Sequence, residues 1–183
     1  MTAYIFLPEG FEETEAVTTF DILVRAGIKT QFVSLADKAL IKSRNGANVE
    51  AGLMFSEMKT KSGDALIFPG GPVLDKYRAH SELKNALISH NEKGGLVAAI
   101  CAAPVFLAEA GVLKGKSAVC FPSPDFEEAL IKYGAKQGSG NVNKSKNVIT
   151  ANGPGQTANF ALAVVAVITG NDVAEKVRKS FIL

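Results

Sequence analysis

Cysteine and histidine are scarce in this sequence of 183 residues, which contains two of each. Two thiols, Cys101 and Cys120, cannot form the disulfide framework of a small secreted domain, and no cysteine–histidine spacing matches a zinc site. We therefore predict free thiols in a reducing, cytoplasmic compartment, and we expect neither a metal nor a cofactor.

Long hydrophobic runs are also missing. The longest apolar stretch, "FALAVVAVITG" from Phe160, falls short of the roughly 20 residues that a membrane helix needs. The apolar run near the N-terminus is brief and is followed by acidic residues, unlike a signal peptide. We predict no membrane association.

No charge of one sign dominates, because 20 Lys and Arg residues face 18 Asp and Glu residues, for a net charge of +2. The basic cluster around Lys144 and Lys146 is short enough to be a solvated turn, so no nucleic acid is expected as a partner. Hydrophobic residues make up 47% of the chain, as in ordinary globular proteins. Without repeats or linkers, residues 1–183 are predicted to form one domain.

Strand and helix signals alternate along the chain, which predicts an α/β fold. A hairpin is predicted around Asn45 and Gly46, a strong turn signal. Strands are predicted at 3–8, 29–35, 64–68, 95–100, 117–122 and 147–150. Helices are predicted at 12–27, 81–93, 103–110 and 123–134, and a last long helix begins near Gly153, Pro154 and Gly155. In such sheets, ligands bind at the carboxyl ends of the strands.

Cys101 lies where a buried strand ends and a helix begins, which is the geometry of a nucleophile elbow. Alanines on both sides would let strand and helix pack closely. A helix N-terminus favours a thiolate, so we expect a lowered pKa for this thiol. A buried cysteine is also a common apolar filler, and the local sequence leaves both interpretations open.

Acidic residues cluster at the start of the first predicted helix, where they are common. One of them should point over the sheet edge towards Cys101, where a partly buried carboxyl would have a raised pKa and could transfer a proton. Local sequence alone does not choose among Glu12, Glu13 and Glu15.

Gly70 and Gly71 follow another predicted strand, and their N–H groups could form an oxyanion site, although Pro-Gly-Gly-Pro is also an ordinary turn. The segment lacks the pattern of a phosphate-binding loop. His80 and His90 are predicted at the surface. Cys120 is predicted on a strand, as core or as a redox-active thiol.

Several motifs together resemble the ThiJ/PfpI superfamily, and within it the branch of the Parkinson-disease protein, the DJ family of deglycases and oxidative-stress proteins. The resemblance covers nearly the whole chain. Its motifs are "PEGFEETEAV" with Glu15, "RAGI" at 25–28, "SRNG" from Ser43, "LIFPGGP" from Leu66, "GGLVAAICAAPVFLA" around Cys101 and "ANGPGQTANFALAVV" near the end.

The resemblance implies a role for each matching residue. Cys101 would be the nucleophile and the thiol that peroxide oxidises, with Glu15 as general acid and base. The oxyanion site would be formed by Gly70, Gly71 and the N–H of Ala102. Arg44 and Phe121 would contribute to the substrate pocket.

The implied fold is a flavodoxin-like three-layer sandwich with a mostly parallel central sheet, of the class I glutamine amidotransferase type. Members of the family are usually homodimers.

Two positions of this sequence depart from the family pattern and narrow the chemistry that the site can perform. Ala102 follows the cysteine where related proteases have histidine, which excludes a Cys-His triad. Asn152 stands where the human-like branch has arginine, which puts an anion site there in doubt.

The resulting hypothesis is a glyoxalase or protein deglycase that acts on methylglyoxal-type dicarbonyls or on their early protein adducts. The alternative is a non-catalytic redox sensor or redox-regulated chaperone that uses oxidation of Cys101. A glutamine amidotransferase would need a histidine after the cysteine, and none follows Cys101.

Overall fold

The computed structural model describes residues 1–183 and contains eleven strands and seven α-helices. The strands are β1 (Thr2–Leu7), β2 (Lys29–Ser34), β3 (Leu40–Lys42), β4 (Asn48–Glu50), β5 (Leu53–Met54), β6 (Ala65–Phe68), β7 (Leu96–Ile100), β8 (Ser117–Ala118), β9 (Lys136–Gln137), β10 (Val142–Ser145) and β11 (Val148–Ala151). The helices are α1 (Glu13–Arg25), α2 (Leu74–Ala79), α3 (Ser81–Glu92), α4 (Ala103–Glu109), α5 (Pro124–Lys132), α6 (Thr157–Thr169) and α7 (Asn171–Ser180).

Seven strands form the central sheet in the order β10-β11-β7-β6-β1-β2-β5. Every neighbouring pair is parallel except β10 and β11 at one edge. The residues of β6 and β11 are all buried, because strands of a parallel sheet are covered on both faces and are apolar throughout. The sheet confirms the α/β class and the mostly parallel arrangement.

The flanking helices form two groups. Helices α1 and α7 both pack against α6, and α4 packs against α2 and α5. In the second group, the rings of Tyr77 and Phe106 stack with their centroids 5.3 Å apart, and Phe68 of β6 lies beside both. These aromatic contacts fix α2 and α4 against the sheet near the ends of β6 and β7. None of the helices has the length and apolar character needed to cross a membrane.

Most predicted elements are confirmed, including the hairpin of β3 and β4, whose turn contains Asn45 and Gly46. The predicted strand at 117–122 is wrong beyond Ala118, so Cys120 lies in the segment after β8. The last long helix begins at Thr157, after a short 3-10 turn at Pro154–Gln156. Helix α2 was not predicted, because its six residues are too few to show a helical period.

The prediction that both histidines lie at the surface is wrong for His90, which is only 3% exposed. Its ring fills the space beside Gly95, where a Cβ would come within 2.2 Å of Nε2. His80 precedes α3 as its N-cap, and its Nδ1 accepts a hydrogen bond from the Leu83 N–H at 3.3 Å. Neither histidine is among the groups that shift the pKa of Cys101.

Candidate active site

Cys101 comes directly after β7 and two residues before the start of α4. Its φ is 63°, a left-handed conformation that costs a non-glycine residue of order 1–3 kcal/mol and is typical of a nucleophile elbow. The surrounding backbone enforces it: the Cys101 N–H donates to the Ala151 carbonyl at 2.9 Å, and the Cys101 carbonyl accepts from the Phe121 N–H at 2.7 Å. The residue is 7% exposed.

The structure distinguishes the three candidate glutamates, all at the start of α1. Glu12 caps the helix, because its carboxylate accepts from the Glu15 N–H at 3.0 Å. Glu13 faces the turn between β3 and β4. Glu15 is fully buried, and its Oε2 accepts a 2.6 Å hydrogen bond from the Gly70 N–H. Of the three, Glu15 is the carboxyl that reaches Cys101.

The loop after β6 requires glycine at two consecutive positions. A Cβ on Gly70 would come within 2.6 Å of the Cys101 Cβ and 3.0 Å of Glu15 Oε2. Gly71 has a φ of 104°, and a Cβ there would come within 2.7 Å of the Gly10 carbonyl oxygen. The glycines therefore allow the backbone to contact the thiol and the carboxyl directly.

Two backbone N–H groups face the Cys101 sulfur, those of Gly71 and Ala102. Both can stabilise negative charge at or next to the sulfur, as oxyanion-site donors do. The Gly70 N–H is instead committed to Glu15. The N–H groups next to the sulfur are thus those of Gly71 and Ala102, and the Gly70 N–H binds the carboxyl.

Burial raises the pKa of Glu15, the Gly70 N–H opposes this effect and the neighbouring Glu12 carboxylate adds to it, so that the pKa lies at about 7. Glu15 Oε1 has no hydrogen-bond partner, and the neighbouring Cys101 thiol slightly lowers the pKa of the carboxyl. A carboxyl with a pKa near neutrality can both accept and donate a proton under physiological conditions.

Burial also raises the pKa of the Cys101 thiol, and the nearby Glu15 carboxylate adds to the increase, so that the pKa lies at about 12. The N–H groups of Gly71 and Ala102 lower it, but by less. The prediction of a lowered pKa at this helix start is therefore wrong, because burial and the carboxylate outweigh the helix terminus. The two groups titrate as a pair, which holds a single proton between about pH 7 and pH 12.

Arg44 lies in the exposed turn between β3 and β4, and its N–H donates to the Phe11 carbonyl at 2.9 Å. Its positive charge lowers the pKa of Glu15, which places the guanidinium on the Glu15 side of the site. The hairpin thus brings one cation to the edge of a site that otherwise contains carboxyl, thiol and backbone groups.

Phe121 is 42% exposed, and its N–H fixes the Cys101 carbonyl. Its ring lies beside Gly153, where a Cβ would be 3.6 Å from the ring. Next to Gly153, the side chain of Asn152 donates to Asn141 Oδ1 at 2.9 Å. The position at which the sequence resemblance implies arginine is therefore occupied by an amide that is already hydrogen-bonded.

Other cavities lie apart from the thiol. One of about 530 Å³ lies between the loops after β1 and β2 and the corner between α2 and α3, and Cys101 does not line it. Cys120 lines a separate cavity of about 110 Å³ together with Glu127. Burial and Glu127 raise the pKa of Cys120 to about 12, so this thiol is protonated at neutral pH. No group of three His, Cys, Asp or Glu side chains is arranged to hold a metal ion.

Sequence reasoning missed Tyr77. It lies fully buried on the unpredicted helix α2, and its hydroxyl donates to the Pro69 carbonyl at 2.8 Å. The only signal in the sequence was a single aromatic residue in the polar segment "LDKYRA". Such a residue does not indicate contact with the loop of Pro69, Gly70 and Gly71 after β6, called the glycine loop below.

The chain matches the model of the DJ-1/PfpI family over residues 1–167. It is 31% identical to "Protein dj-1beta" of Drosophila melanogaster, with 100% of this chain and 97% of that protein covered. It is also 31% identical to "Glutathione-independent glyoxalase DJR-1.2" of Caenorhabditis elegans, with 100% and 96% covered. Among solved structures, oxidized Toxoplasma gondii DJ-1 has a TM-score of 0.91 at 28% identity, with 99% and 97% covered.

These likenesses confirm the flavodoxin-like fold and the resemblance drawn from the sequence motifs. The match to the family model takes in the strand that ends at Cys101, the glycine loop and the glutamate at the start of α1. The chain therefore belongs to the DJ-1/PfpI family.

Proposed function

We propose that this protein is a cofactor-independent glyoxalase that converts methylglyoxal-type dicarbonyls into hydroxy acids and contributes to defence against oxidative and carbonyl stress. The observation that carries the proposal is the thiol–carboxyl pair of Cys101 and Glu15, together with the N–H groups of Gly71 and Ala102 next to the sulfur. A relative that is 31% identical is named a glutathione-independent glyoxalase.

The reaction begins with addition of the Cys101 sulfur to the aldehyde carbon of methylglyoxal. The thiol proton passes to Glu15, and the aldehyde oxygen takes the negative charge beside the N–H groups of Gly71 and Ala102. Glu15 then protonates this oxygen, which gives a hemithioacetal and regenerates the carboxylate.

Glu15 next removes the proton from the former aldehyde carbon and delivers it to the ketone oxygen, which gives an enediol. Glu15 then takes the proton of the hydroxyl on the sulfur-bearing carbon and passes it to the adjacent carbon, which gives the thioester of lactate and leaves Glu15 as the carboxylate. Water attacks the thioester, lactate leaves, and the sulfur recovers its proton. The sum is methylglyoxal plus water to lactate, with no net oxidation, so the scheme needs no cofactor.

The test is lactate formation from methylglyoxal by the wild type, Cys101→Ser, Glu15→Gln and the control Cys120→Ser. We expect Cys101→Ser to lose activity and Glu15→Gln to lose about a hundredfold or more, as for removal of a general acid and base. Cys120→Ser should retain activity. Full lactate formation by Cys101→Ser would disprove the mechanism.

Early adducts of methylglyoxal on protein amines carry the same carbon skeleton, and we propose them as further substrates of the same pair. Purified adducts of Nα-acetyllysine, whose side-chain amine is free to react, would be incubated with the protein, and the release of this amine would be followed. Release no faster than spontaneous dissociation of the adduct would restrict the activity to free dicarbonyl.

A second candidate is a redox sensor or redox-regulated chaperone, supported by the oxidized state named for the Toxoplasma gondii structure. The Cys101 sulfur would attack one oxygen of hydrogen peroxide, break the O–O bond and release water, and a second peroxide would give the sulfinate. Mass spectrometry after mild peroxide treatment tests it. Oxidation of Cys120 while Cys101 stays reduced would exclude this role.

We also propose a cytoplasmic homodimer, as the family resemblance implies. Val17 and Val24 are exposed apolar residues of α1, at 44% and 47%, and lie two helical turns apart on one face. Light scattering tests the assembly, and a monomer at micromolar concentration would exclude it.

A further inference from the structure

The side chain of Tyr77 contacts the backbone of the glycine loop from the protein core. The side chain is fully buried, with its ring against those of Phe68 and Phe106, and its hydroxyl donates to the Pro69 carbonyl at 2.8 Å. The proposed chemistry does not use this hydroxyl, yet burying a polar group requires a hydrogen-bond partner. The partner that it has found belongs to the active-site loop.

The carbonyl of Pro69 and the N–H of Gly70 belong to the same peptide group. That N–H donates to Glu15 Oε2 at 2.6 Å. A continuous path therefore runs from the Tyr77 hydroxyl through one peptide to the Glu15 carboxyl. A hydrogen bond accepted by a carbonyl polarises the peptide and strengthens the bond donated by its N–H, by roughly 10–30% in such chains.

The next peptide of the loop is held in the same way. The Gly70 carbonyl accepts from the Glu12 N–H at 2.9 Å, and the Gly71 N–H faces the Cys101 sulfur. Each of two consecutive peptides is therefore bound at its carbonyl and presents its N–H to one member of the reactive pair. The Pro69 carbonyl is bound by a side chain, that of Tyr77, whereas the Gly70 carbonyl is bound by a backbone N–H. The contact with Pro69 can therefore be removed by replacing the side chain of Tyr77.

We propose that Tyr77 is a positioning residue whose hydroxyl orients and polarises the Pro69–Gly70 peptide and thereby sets how strongly Gly70 binds the Glu15 carboxylate. The proposal rests on the proposed function for the importance of Glu15 in catalysis. The test of this proposal does not depend on the proposed function, because the protonation of Glu15 and the reactivity of Cys101 are measured without a dicarbonyl substrate.

The groups that face Glu15 come from four elements. Glu12 lies on its own helix, Cys101 on the elbow, Arg44 on the hairpin turn and Tyr77 on α2. Burial holds the pKa of Tyr77 well above its ordinary value, so this residue stays neutral across the working range. Replacing it with phenylalanine removes a hydrogen bond without changing any charge, and the carboxylate form of Glu15 loses part of its stabilisation. The pKa of Glu15 should therefore rise.

The experiment compares the wild type with Tyr77→Phe by two readouts over about pH 5 to pH 9.5: the carbon-13 chemical shift of the Glu15 carboxyl and the alkylation rate of Cys101. We expect both midpoints to move up by about half a pH unit in Tyr77→Phe, the size that a weakened charged hydrogen bond implies. The matched control is Tyr4→Phe, because the Tyr4 hydroxyl lies 3.4 Å from the Lys59 carbonyl, away from the loop. Its midpoints should match those of the wild type.

A variant of opposite sign separates this role from simple packing. Difluorotyrosine at position 77 is a stronger hydrogen-bond donor and should move both midpoints down, in a side chain of nearly the same shape. It also keeps the test available if Tyr77→Phe folds poorly. Unshifted midpoints in a folded variant, or shifts of the same sign in both variants, would overturn the proposal. Failure of the wild type to form lactate would instead refute the proposed function and leave these midpoints to decide the role of Tyr77.

Discussion

Gly70 and Cys101 are packed so closely that a Cβ on Gly70 would lie 2.6 Å from the Cys101 Cβ. The two residues come from the loops after β6 and β7, adjacent strands of the sheet. Their contact brings the backbone of the glycine loop against the strained elbow. The relative positions of the thiol, the carboxyl and the N–H donors all depend on this contact.

Gly70→Ala is expected to disrupt the site. The added methyl would overlap Cys101 and approach Glu15 Oε2, so the loop must move away from the pair. Overpacking of this kind costs about 1–3 kcal/mol of stability, and the alkylation rate of Cys101 should change by about tenfold or more. The control is Gly52→Ala, since a Cβ at Gly52 meets nothing within 4 Å. An unchanged alkylation rate in a folded Gly70→Ala protein would contradict the expected displacement.

The reactivity of Cys101 should follow the titration of Glu15. In the wild type, the alkylation rate should rise with a midpoint near pH 7, because the pair loses its first proton as the raised pKa of Glu15 is passed. In Glu15→Gln this step should disappear, because the carboxylate that takes the thiol proton is gone and burial still raises the pKa of the thiol. Mass spectrometry assigns the label to Cys101 or Cys120. A step near pH 7 that persists in Glu15→Gln would mean that another group controls the thiol.

Burial of Glu15 should make the protein less stable at high pH. The folded-state pKa of about 7 lies above the ordinary value of 4.5, so this group favours folding most below about pH 4.5, and its contribution is lost as the pH rises through 7. The shift corresponds to about 3 kcal/mol in the free energy of unfolding. Urea denaturation of the wild type and Glu15→Gln at about pH 5 and about pH 8.5 measures it. We expect the variant to gain stability relative to the wild type between the two values.

Glu13 provides a comparison of opposite sign. Burial acts to raise its pKa, but its own N–H and the neighbouring Asn45 and Ser43 together lower it. A lowered pKa adds stability above the unfolded-state pKa, and that stability is lost as the pH falls through the folded-state value. Glu13→Gln should therefore lose stability relative to the wild type at neutral pH and less in acid. If both glutamine variants changed in the same direction with pH, the assignment to Glu15 would be wrong.

The sequence predicted those parts of the fold that have a clear local signal. Buried parallel strands such as β6 and β7 are short apolar runs that end in glycine, proline or the elbow, and the Asn45-Gly46 pair marks a hairpin. Helix α2 has six residues and no full helical repeat. His90 is polar and helical, and its burial depends on the space beside Gly95, a contact between residues that no periodic pattern reveals.

The candidate site could be predicted only as a set of strand ends. Local sequence did not choose among Glu12, Glu13 and Glu15, because their roles differ by which way each side chain turns at the start of one helix. The direction of the Cys101 pKa was also out of reach, since it depends on the balance between burial, a neighbouring carboxylate and two N–H groups. Tyr77 acts through a carbonyl eight residues earlier in the chain, and sequence carries no pattern for such a contact.

The ion pair between Arg78 and Glu109 ties the helix that carries Tyr77 to the helix that follows the elbow. The Arg78 Nε and Nη2 donate to the two oxygens of Glu109 at 2.9 and 2.6 Å, a bidentate geometry that lysine cannot reproduce. Arg78 is 45% exposed at its side chain, so solvent weakens the pair, and a double-mutant cycle of Arg78→Lys with Glu109→Gln should give a coupling of about 1 kcal/mol. The coupling should fall in about 1 M salt, because exposed charges are screened. A coupling indistinguishable from zero at low salt would show that α2 and α4 are held by the stacked rings of Tyr77 and Phe106 without help from the ion pair.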